Sequence, residues 1–444
     1  MLSYGQIRIS LLQLYYSNLP IYNISFDTKI VGNLDINLFE KSINYLLIGH
    51  KELRTNIKII NNNLEKVHTN KKLIIQKYDI NDSKDVEYKF INNVFDISND
   101  LLIKILYLKK QNKIIFLFSD LIIDGVTIII FFKKLSNIYN SMYNKSILNN
   151  INMKNTDEII QNGKYNINFW KNILLNNNNF NIKVKNNSDN FNENRIHFSF
   201  IHERYINIKN FVKDNNITLF NYFTSIFQFL LYLITNQQNI TIDTLLGDLS
   251  QNSIGLFNDI LLLPIQFNQK ILNMKLINYI QYNSSILNNI KNNRISLEYL
   301  SNKLNFHDLP NIRMHFEYSN KYTEKSVKFG DSQLESNFYE NSSNQIRQLM
   351  IFNVCEFENK IECYLSYREE CFDEKYIKLI IKLFNDLLKK KEELLLNIDE
   401  HIPLQNYYNM NYEKSKDKRL LCYKYAGNYP NITYSEFKQK LDSF

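Results

Sequence analysis

Residues 113–143 run strand, loop and helix in direct succession, and this junction constrains the fold more than any other part of the chain. Lys113 to Phe118 is apolar and β-branched, the composition of a buried strand. Asp124-Gly125 supplies a turn, and Val126 to Tyr143 has the apolar spacing of a helix. Between them Ser119-Asp120-Leu121-Ile122-Ile123 sets polar side chains at the end of a strand, a place where sites are often built.

The same alternation recurs on both sides. A strand at Ile24–Val31 turns at Gly32 into a helix from Asp35, whose apolar face is Leu38, Phe39, Ile43, Leu46 and Leu47. Further on, strand Ile196–Ile201, helices Tyr205–Asn215 and Leu219–Thr235, and strand Thr241–Leu246 closing at Gly247 form a second set. Strands Gln348–Glu356 and Lys360–Tyr367 pair around Asn359, and a helix follows from Asp373 to about Leu396. Asn172 to Asn194, with four asparagines in a row at Asn176–Asn179, marks a connection between two lobes. Alternating elements in two lobes predict an α/β fold, with lobes at 1–175 and 195–396 joined by 176–194.

Composition needs discounting before it is used. Asn, Ile, Lys, Tyr and Phe dominate the 444 residues, while nine Gly, five Pro and the single Ala426 remain, as under an A/T-rich coding bias. High Asn therefore need not mean disorder, and among the nine scarce arginines Arg8, Arg54, Arg195, Arg204, Arg294 and Arg313 stand out. The net charge of +8 is spread among 45 carboxylates, and Lys389-Lys390-Lys391 runs straight into Glu392-Glu393. That is a solvated helix face, and no nucleic-acid partner is expected. Cys355, Cys363, Cys371 and Cys422 lack metal-site spacing, so neither a metal nor a disulfide framework is expected. The N-terminus lacks a signal-peptide pattern, which predicts a cytoplasmic protein. The apolar run Leu219–Ile234 carries Asn221, Thr224, Ser225 and Gln228 and falls short of the ~20 apolar residues that span a bilayer. It reads as a core helix, and no membrane partner is expected.

Taken in order, the segments resemble the condensation domain of nonribosomal peptide synthetases, a relative of chloramphenicol acetyltransferase. Leu2-Ser-Tyr-Gly5-Gln-Ile-Arg8 is similar to the family's opening Ser-x-Ala-Gln-x-Arg, with Gly5 in place of Ala. Gly32-Asn-Leu-Asp35 and His50-Lys-Glu-Leu-Arg54-Thr55 resemble Gly-x-Leu-Asp and His-Glu-x-Leu-Arg-Thr. Phe169-Trp170-Lys171 resembles the Tyr-Trp-Lys that closes the first lobe, and Ile254-Gly255-Leu-Phe257 the Ile-Gly-x-Phe of the second. Tyr367 to Asp373 and the helix after it resemble the end of the fold.

The resemblance implies two acetyltransferase-like lobes in a V-shaped pseudo-dimer with a central channel. It implies no bound cofactor: the phosphopantetheine arms of donor and acceptor peptidyl carrier proteins would enter from opposite faces, and an amine on one would attack a thioester on the other. The family signature His-His-x-x-x-Asp-Gly falls on Ser119-Asp120-Leu-Ile-Ile-Asp124-Gly125, so Asp124 and Gly125 are kept and both histidines are replaced. Asp120, with Ser119 before it, takes the catalytic position; Asp124 and Gly125 read as a helix-capping carboxylate and a residue of flexible φ. Arg8, Arg54, Gly247, Gly255 and His315 are candidate channel or support residues. The usual arginine partner of the aspartate is missing from Asp248 to Asn252, which leaves Arg294 or Arg313 as substitutes.

A carboxylate near its reference pKa of ~4 is poorly matched to proton transfer at neutral pH, and its charge opposes a forming oxyanion; burial could raise its pKa, but the group would then be neutral and no base. Impaired amide-bond formation is therefore expected, and the alternative is a non-catalytic platform that binds carrier proteins or recruits a tailoring enzyme. The three-residue gap between Asp120 and Asp124 departs from the four-residue gap of the cyclising relatives. Residues 397–417 resemble the linker to an adenylation domain, and 418–444, with Ile432-Thr-Tyr-Ser-Glu-Phe437, the start of one. A monomeric unit within a larger synthetase is expected, with no ATP chemistry in this chain because no nucleotide-binding loop is present.

Overall fold

The computed structural model describes residues 2–146, 166–174, 180, 182, 184–185, 190–246, 253–295, 297–304, 310–318, 326–336, 345–390, 395, 419–422 and 431–433. The first part of the chain runs α1 (Tyr4–Tyr15), β1 (Asn23–Val31), α2 (Ile36–Gly49), β2 (Thr55–Ile60), β3 (Asn63–His68), β4 (Gln76–Tyr78), α3 (Lys84–Ile91), β5 (Ile103–Leu108), β6 (Lys113–Ser119) and α4 (Gly125–Tyr143). Next come α5 (Ile167–Leu174), β7 (Glu193–Ile201), α6 (His202–Asp214), α7 (Leu219–Thr235), β8 (Asn239–Leu246) and β9 (Asp259–Gln266). The remainder is α8 (Gln269–Leu272), α9 (Leu276–Asn292), α10 (Leu297–Leu304), β10 (Ile312–Tyr318), β11 (Ser326–Phe329), β12 (Ser332–Ser336), β13 (Met350–Glu356), β14 (Lys360–Arg368) and α11 (Glu374–Leu387). A last antiparallel pair, β15 (Arg419–Cys422) and β16 (Asn431–Thr433), follows.

Local chemistry sets the helix starts. Ser3 and Gln6 form a reciprocal capping box on α1, and Asp35 accepts from the amides of Asn37 and Leu38 to cap α2. Thr218 caps α7, which ends at Asn236 in the left-handed region.

Two six-stranded sheets organise the molecule, in the orders β11-β12-β1-β6-β5-β4 and β7-β14-β13-β10-β8-β9. β6 lies between β1 and β5, antiparallel to both. Residues 114–119 of β6 are all buried, which explains the unbroken apolar run. Phe26, Phe116, Phe118, Phe131 and Phe132 stack around this strand. Each sheet has its own apolar core. In the second, α7 is buried on nearly all sides: Gln228 donates to the Leu263 carbonyl and Asn283 donates to Ser225 and Gln228, while the Tyr222 and Thr224 hydroxyls have no partner among the described residues. Among the described residues no single helix is long and apolar enough to cross a membrane.

Two boundaries differ from those read in the sequence. α5 lies within 1–175, yet Trp170 is buried in the second core and donates from Nε1 to the Asn293 carbonyl at 2.7 Å. Conversely β11 and β12, within 195–396, extend the first sheet through β1, while Ile254 and Leu256 join the first core. The lobes exchange segments because an edge strand and an apolar loop bury better against the neighbour than in water. The helix from Glu374 also ends earlier than the sequence suggested, at Leu387. Most of 176–194 and all of 397–417 lie outside the described residues.

Candidate active site

The loop after β6 is clamped from several sides. The Asp120 amide donates to the Tyr22 carbonyl at 2.9 Å, and Gln6 Nε2 on α1 donates to the Leu121 carbonyl at 3.1 Å. Leu121, Ile122 and Ile123 are wholly buried beneath the loop, so its apolar middle anchors it while its ends stay polar.

Asp124 and Thr127 cap α4 reciprocally. The Asp124 amide donates to Thr127 Oγ1 at 3.0 Å, and the Thr127 amide donates to Asp124 Oδ1 at 2.9 Å. The other carboxylate oxygen accepts from the Phe257 amide at 2.8 Å, and Thr127 Oγ1 donates to the Gly255 carbonyl at 2.8 Å. Asp124 thus joins the strand-end loop to the crossing segment 253–257, each of its carboxylate oxygens accepting from a backbone amide. A Cβ on Gly255 would sit 2.9 Å from the Phe257 ring, so that turn requires glycine unless the ring shifts. At Gly125 the requirement is different. Its φ is not positive, and a Cβ there would meet nothing within 4 Å, so the glycine leaves open space beside the loop rather than serving a special φ.

Asp120 and Ser119 separate at this point. Ser119 is fully buried, its Oγ accepting from the Leu121 amide at 3.4 Å. Asp120 is partly open to solvent, and no described residue hydrogen-bonds its carboxyl. Burial, then the neighbouring Asp124 carboxylate, push the Asp120 carboxyl up to about 7, against the opposing pull of the Arg8 and Arg313 guanidinium groups. The group therefore stands well above the ordinary carboxylate value, the direction in which burial was expected to move it.

Three further residues lie within electrostatic range of this carboxyl. Arg8, on α1, pulls it down, and Tyr22, whose hydroxyl has Arg347 and Arg8 near it, feels its charge. Arg313 comes from β10, in the middle of the second sheet. It does not pair with Asp124. Its Nε and Nη2 donate to the two carboxylate oxygens of Asp243 at 2.6 and 3.0 Å. Asp243 was not singled out in the sequence; its place opposite Arg313 depends on the parallel pairing of β8 with β10, which no local pattern announces.

The other candidates sort by position. His315 follows Arg313 by two residues on β10 and so shares its face, with Nδ1 3.1 Å from Asn353 Oδ1. Arg54 serves the fold, donating to the carbonyls of Leu47, Ile48 and Thr69 and so closing the C-terminus of α2. His50 is buried, pushed down to about 4 by burial and by Lys134, whose Nζ lies 3.4 Å from its Nε2. Gly247 lies outside the described residues. Among the described residues no group of His, Cys, Asp and Glu is placed to hold a metal ion.

Known proteins share this fold. The X-domain from teicoplanin biosynthesis is similar with a TM-score of 0.76 at 13% identity, covering 90% of this chain and 95% of that one. The starter condensation domain of rhizomide synthetase, in complex with C8-CoA, has a TM-score of 0.73 at 13% identity over 89% of this chain and 96% of that one. A four-domain nonribosomal peptide synthetase bound to AMP and glycine has a TM-score of 0.72 at 16% identity, covering 98% of this chain and 38% of that one. No curated protein sequence matches. At such identities the structures speak for the fold alone: two acetyltransferase-like lobes in a pseudo-dimer. The family model named Condensation domain matches residues 1–397, and the chain belongs to the condensation-domain family.

Proposed function

We propose that the chain acts on acyl or peptidyl and aminoacyl thioesters tethered to the phosphopantetheine arms of donor and acceptor carrier proteins, forming an amide at Asp120 more slowly than a histidine site would. The observation that carries this is the Asp120 carboxyl, partly open, without a hydrogen-bond partner among the described residues, and poised at about 7. A group with that affinity for protons is suited to take one from an attacking amine near neutral pH. The amine nitrogen bonds to the thioester carbonyl carbon and its proton passes to Asp120. The C–S bond then breaks, and the thiolate leaves with that proton. Two features slow the step: only about half of the carboxyl is ionised at pH 7, and its charge lies near the oxygen that becomes negative.

The resemblance of residues 418–444 to the start of an adenylation domain, and the alignment of 98% of the chain with a four-domain synthetase, support a place beside an adenylation domain in a larger assembly. A second reading, a platform that binds carriers or a tailoring enzyme without turnover, is favoured by the likeness to an X-domain known in complex with OxyB from teicoplanin biosynthesis. One assay separates them. An acyl-loaded donor carrier and an aminoacyl-loaded acceptor carrier are mixed with the chain, carrier binding is measured, and amide formation is followed by intact-protein mass. Slow turnover that falls ~10²-fold in Asp120→Ala supports the transferase. Binding without turnover, unchanged by Asp120→Ala, establishes the platform.

A further inference from the structure

Arg313 is a charged group set into the middle of a sheet, where isolated charge is costly and must be paired. Asp243 supplies the pair: Nε and Nη2 donate to its two oxygens at 2.6 and 3.0 Å, and its side chain is 3% exposed. Gln348, with its carbonyl oxygen turned toward the guanidinium, accepts from Nη2 at 3.0 Å and from Nη1 at 3.2 Å. These contacts occupy four of the five N–H donors, and among the described residues one on Nη1 stays uncommitted. Three strands fix the group: β10 carries it, β8 carries Asp243, and Gln348 precedes β13. The side chain is 11% exposed, and Tyr22 and Asp120, from the first half of the chain, lie within electrostatic range of the same guanidinium.

A tie between β8 and β10 alone would need only the pair with Asp243. The second clamp by Gln348, the remaining donor and the nearness of Asp120 indicate a preorganised cation. We propose that Arg313 is the oxyanion-stabilising group of the site, held by Asp243 and Gln348 and presented from the second lobe to the thioester carbonyl oxygen as negative charge builds on it. The inference rests on the transferase reading above. It also answers an objection to a carboxylate at position 120, because a fixed cation opposite Asp120 offsets its charge where the oxyanion forms. Bond changes are those already given: N–C forms, C–S breaks, and the proton moves from amine to Asp120 to thiolate. Arg313 moves no proton.

The test is the double variant Arg313→Leu with Asp243→Leu, which removes the pair without leaving a buried carboxylate unmatched. Arg313→Lys serves as a second variant that keeps the charge and loses the fork. Two readouts are taken on the full chain. The first is the titration midpoint of Asp120, followed by carbon-13 NMR of labelled aspartate carboxyls. Loss of the cation should move it up by about half a unit or more, and Arg313→Lys should largely restore it. The second is amide formation between octanoyl-loaded carrier protein and leucyl-N-acetylcysteamine thioester. There kcat should fall ~10²-fold in the double variant with KM little changed. An unmoved midpoint overturns the proposal whatever the rate does, and so does a kcat within about threefold of wild type. Failure of the underlying function looks different: Asp120→Ala leaves the rate as it was, or the wild type forms no amide, and then both inferences fall together.

Discussion

The amide of Phe257 donates to Asp124 Oδ2 at 2.8 Å, across 133 positions of sequence. One carboxylate therefore caps α4 and holds the segment that crosses from the second half of the chain. Asp124→Ala would leave two buried amides without their acceptor, at about 1–3 kcal/mol each. The expected loss in urea unfolding is about 2–5 kcal/mol, with a smaller loss for Asp124→Asn, which keeps an acceptor oxygen. Because the Asp124 charge helps raise the Asp120 carboxyl, Asp124→Asn should also move the pH midpoint of Asp120 downward. Equal stabilities for wild type and Asp124→Ala would show that the cap is dispensable.

Asp120 should cost stability at neutral and alkaline pH. Its folded value, about 7, lies above the ordinary 3.8, so the folded state binds the proton more tightly than the unfolded state does. The associated stabilisation is complete below about 3.8 and is lost as pH rises through about 7. Asp120→Asn carries no charge at any of these values. The variant should therefore gain on wild type between pH 4 and 8, levelling off at roughly 2–4 kcal/mol, on the scale of 1.36 kcal/mol per unit reduced for partial exposure. Melting curves at several pH values measure it; a difference that stays flat with pH sinks the assignment.

What the sequence showed and what it hid follow from the range of the interactions. β6, α4 and α7 were legible because burial writes apolar runs and helical spacing into neighbouring residues. The position of Asp120 was legible through its fixed distance from Asp124-Gly125. Its ionisation was not, since that depends first on burial and on the Asp124 carboxylate, and then on Arg8 and Arg313, brought together from α1 and β10. The strand exchange of β11 and β12 was hidden for the same reason. Short strands of mixed composition fit either lobe, and only their pairing with β1 decides. Ser119 was grouped with Asp120 because the two stand where the family signature has its histidines, but Ser119 closes β6 and is buried, and only Asp120, in the turn after it, reaches the open side.

Gly125 offers a separate test of the open side. A methyl group there would touch no described atom within 4 Å, and alanine favours a helix start over glycine. Gly125→Ala should leave stability unchanged or raise it by up to about 1 kcal/mol. If substrate passes through that space, the same variant should raise KM for the carrier-bound donor or acceptor severalfold. A destabilised Gly125→Ala would mean that the space is filled by the chain itself, and an unchanged KM that substrate keeps away from it.

Replacing Asp120 by histidine is the sharpest test of why the site is slow. A neutral imidazole with a reference pKa of ~6.5 accepts a proton without placing a negative charge beside the oxyanion. Arg8 and Arg313, which pull the native carboxyl down, would hold the imidazole neutral, while Asp124 would stabilise the imidazolium once formed. Asp120→His should then raise amide formation ~10-fold or more over wild type, with the acid limb of the rate profile shifted toward lower pH. Restoring both histidines should do worse. Ser119 is fully buried and its Oγ accepts from Leu121, so Ser119→His forces a ring into closed core at about 1–3 kcal/mol and displaces the loop that carries Asp120. Asp120→His should therefore exceed the double variant in both rate and melting temperature. A rate at or below wild type for Asp120→His would show that the carboxylate is itself the group this site is built around.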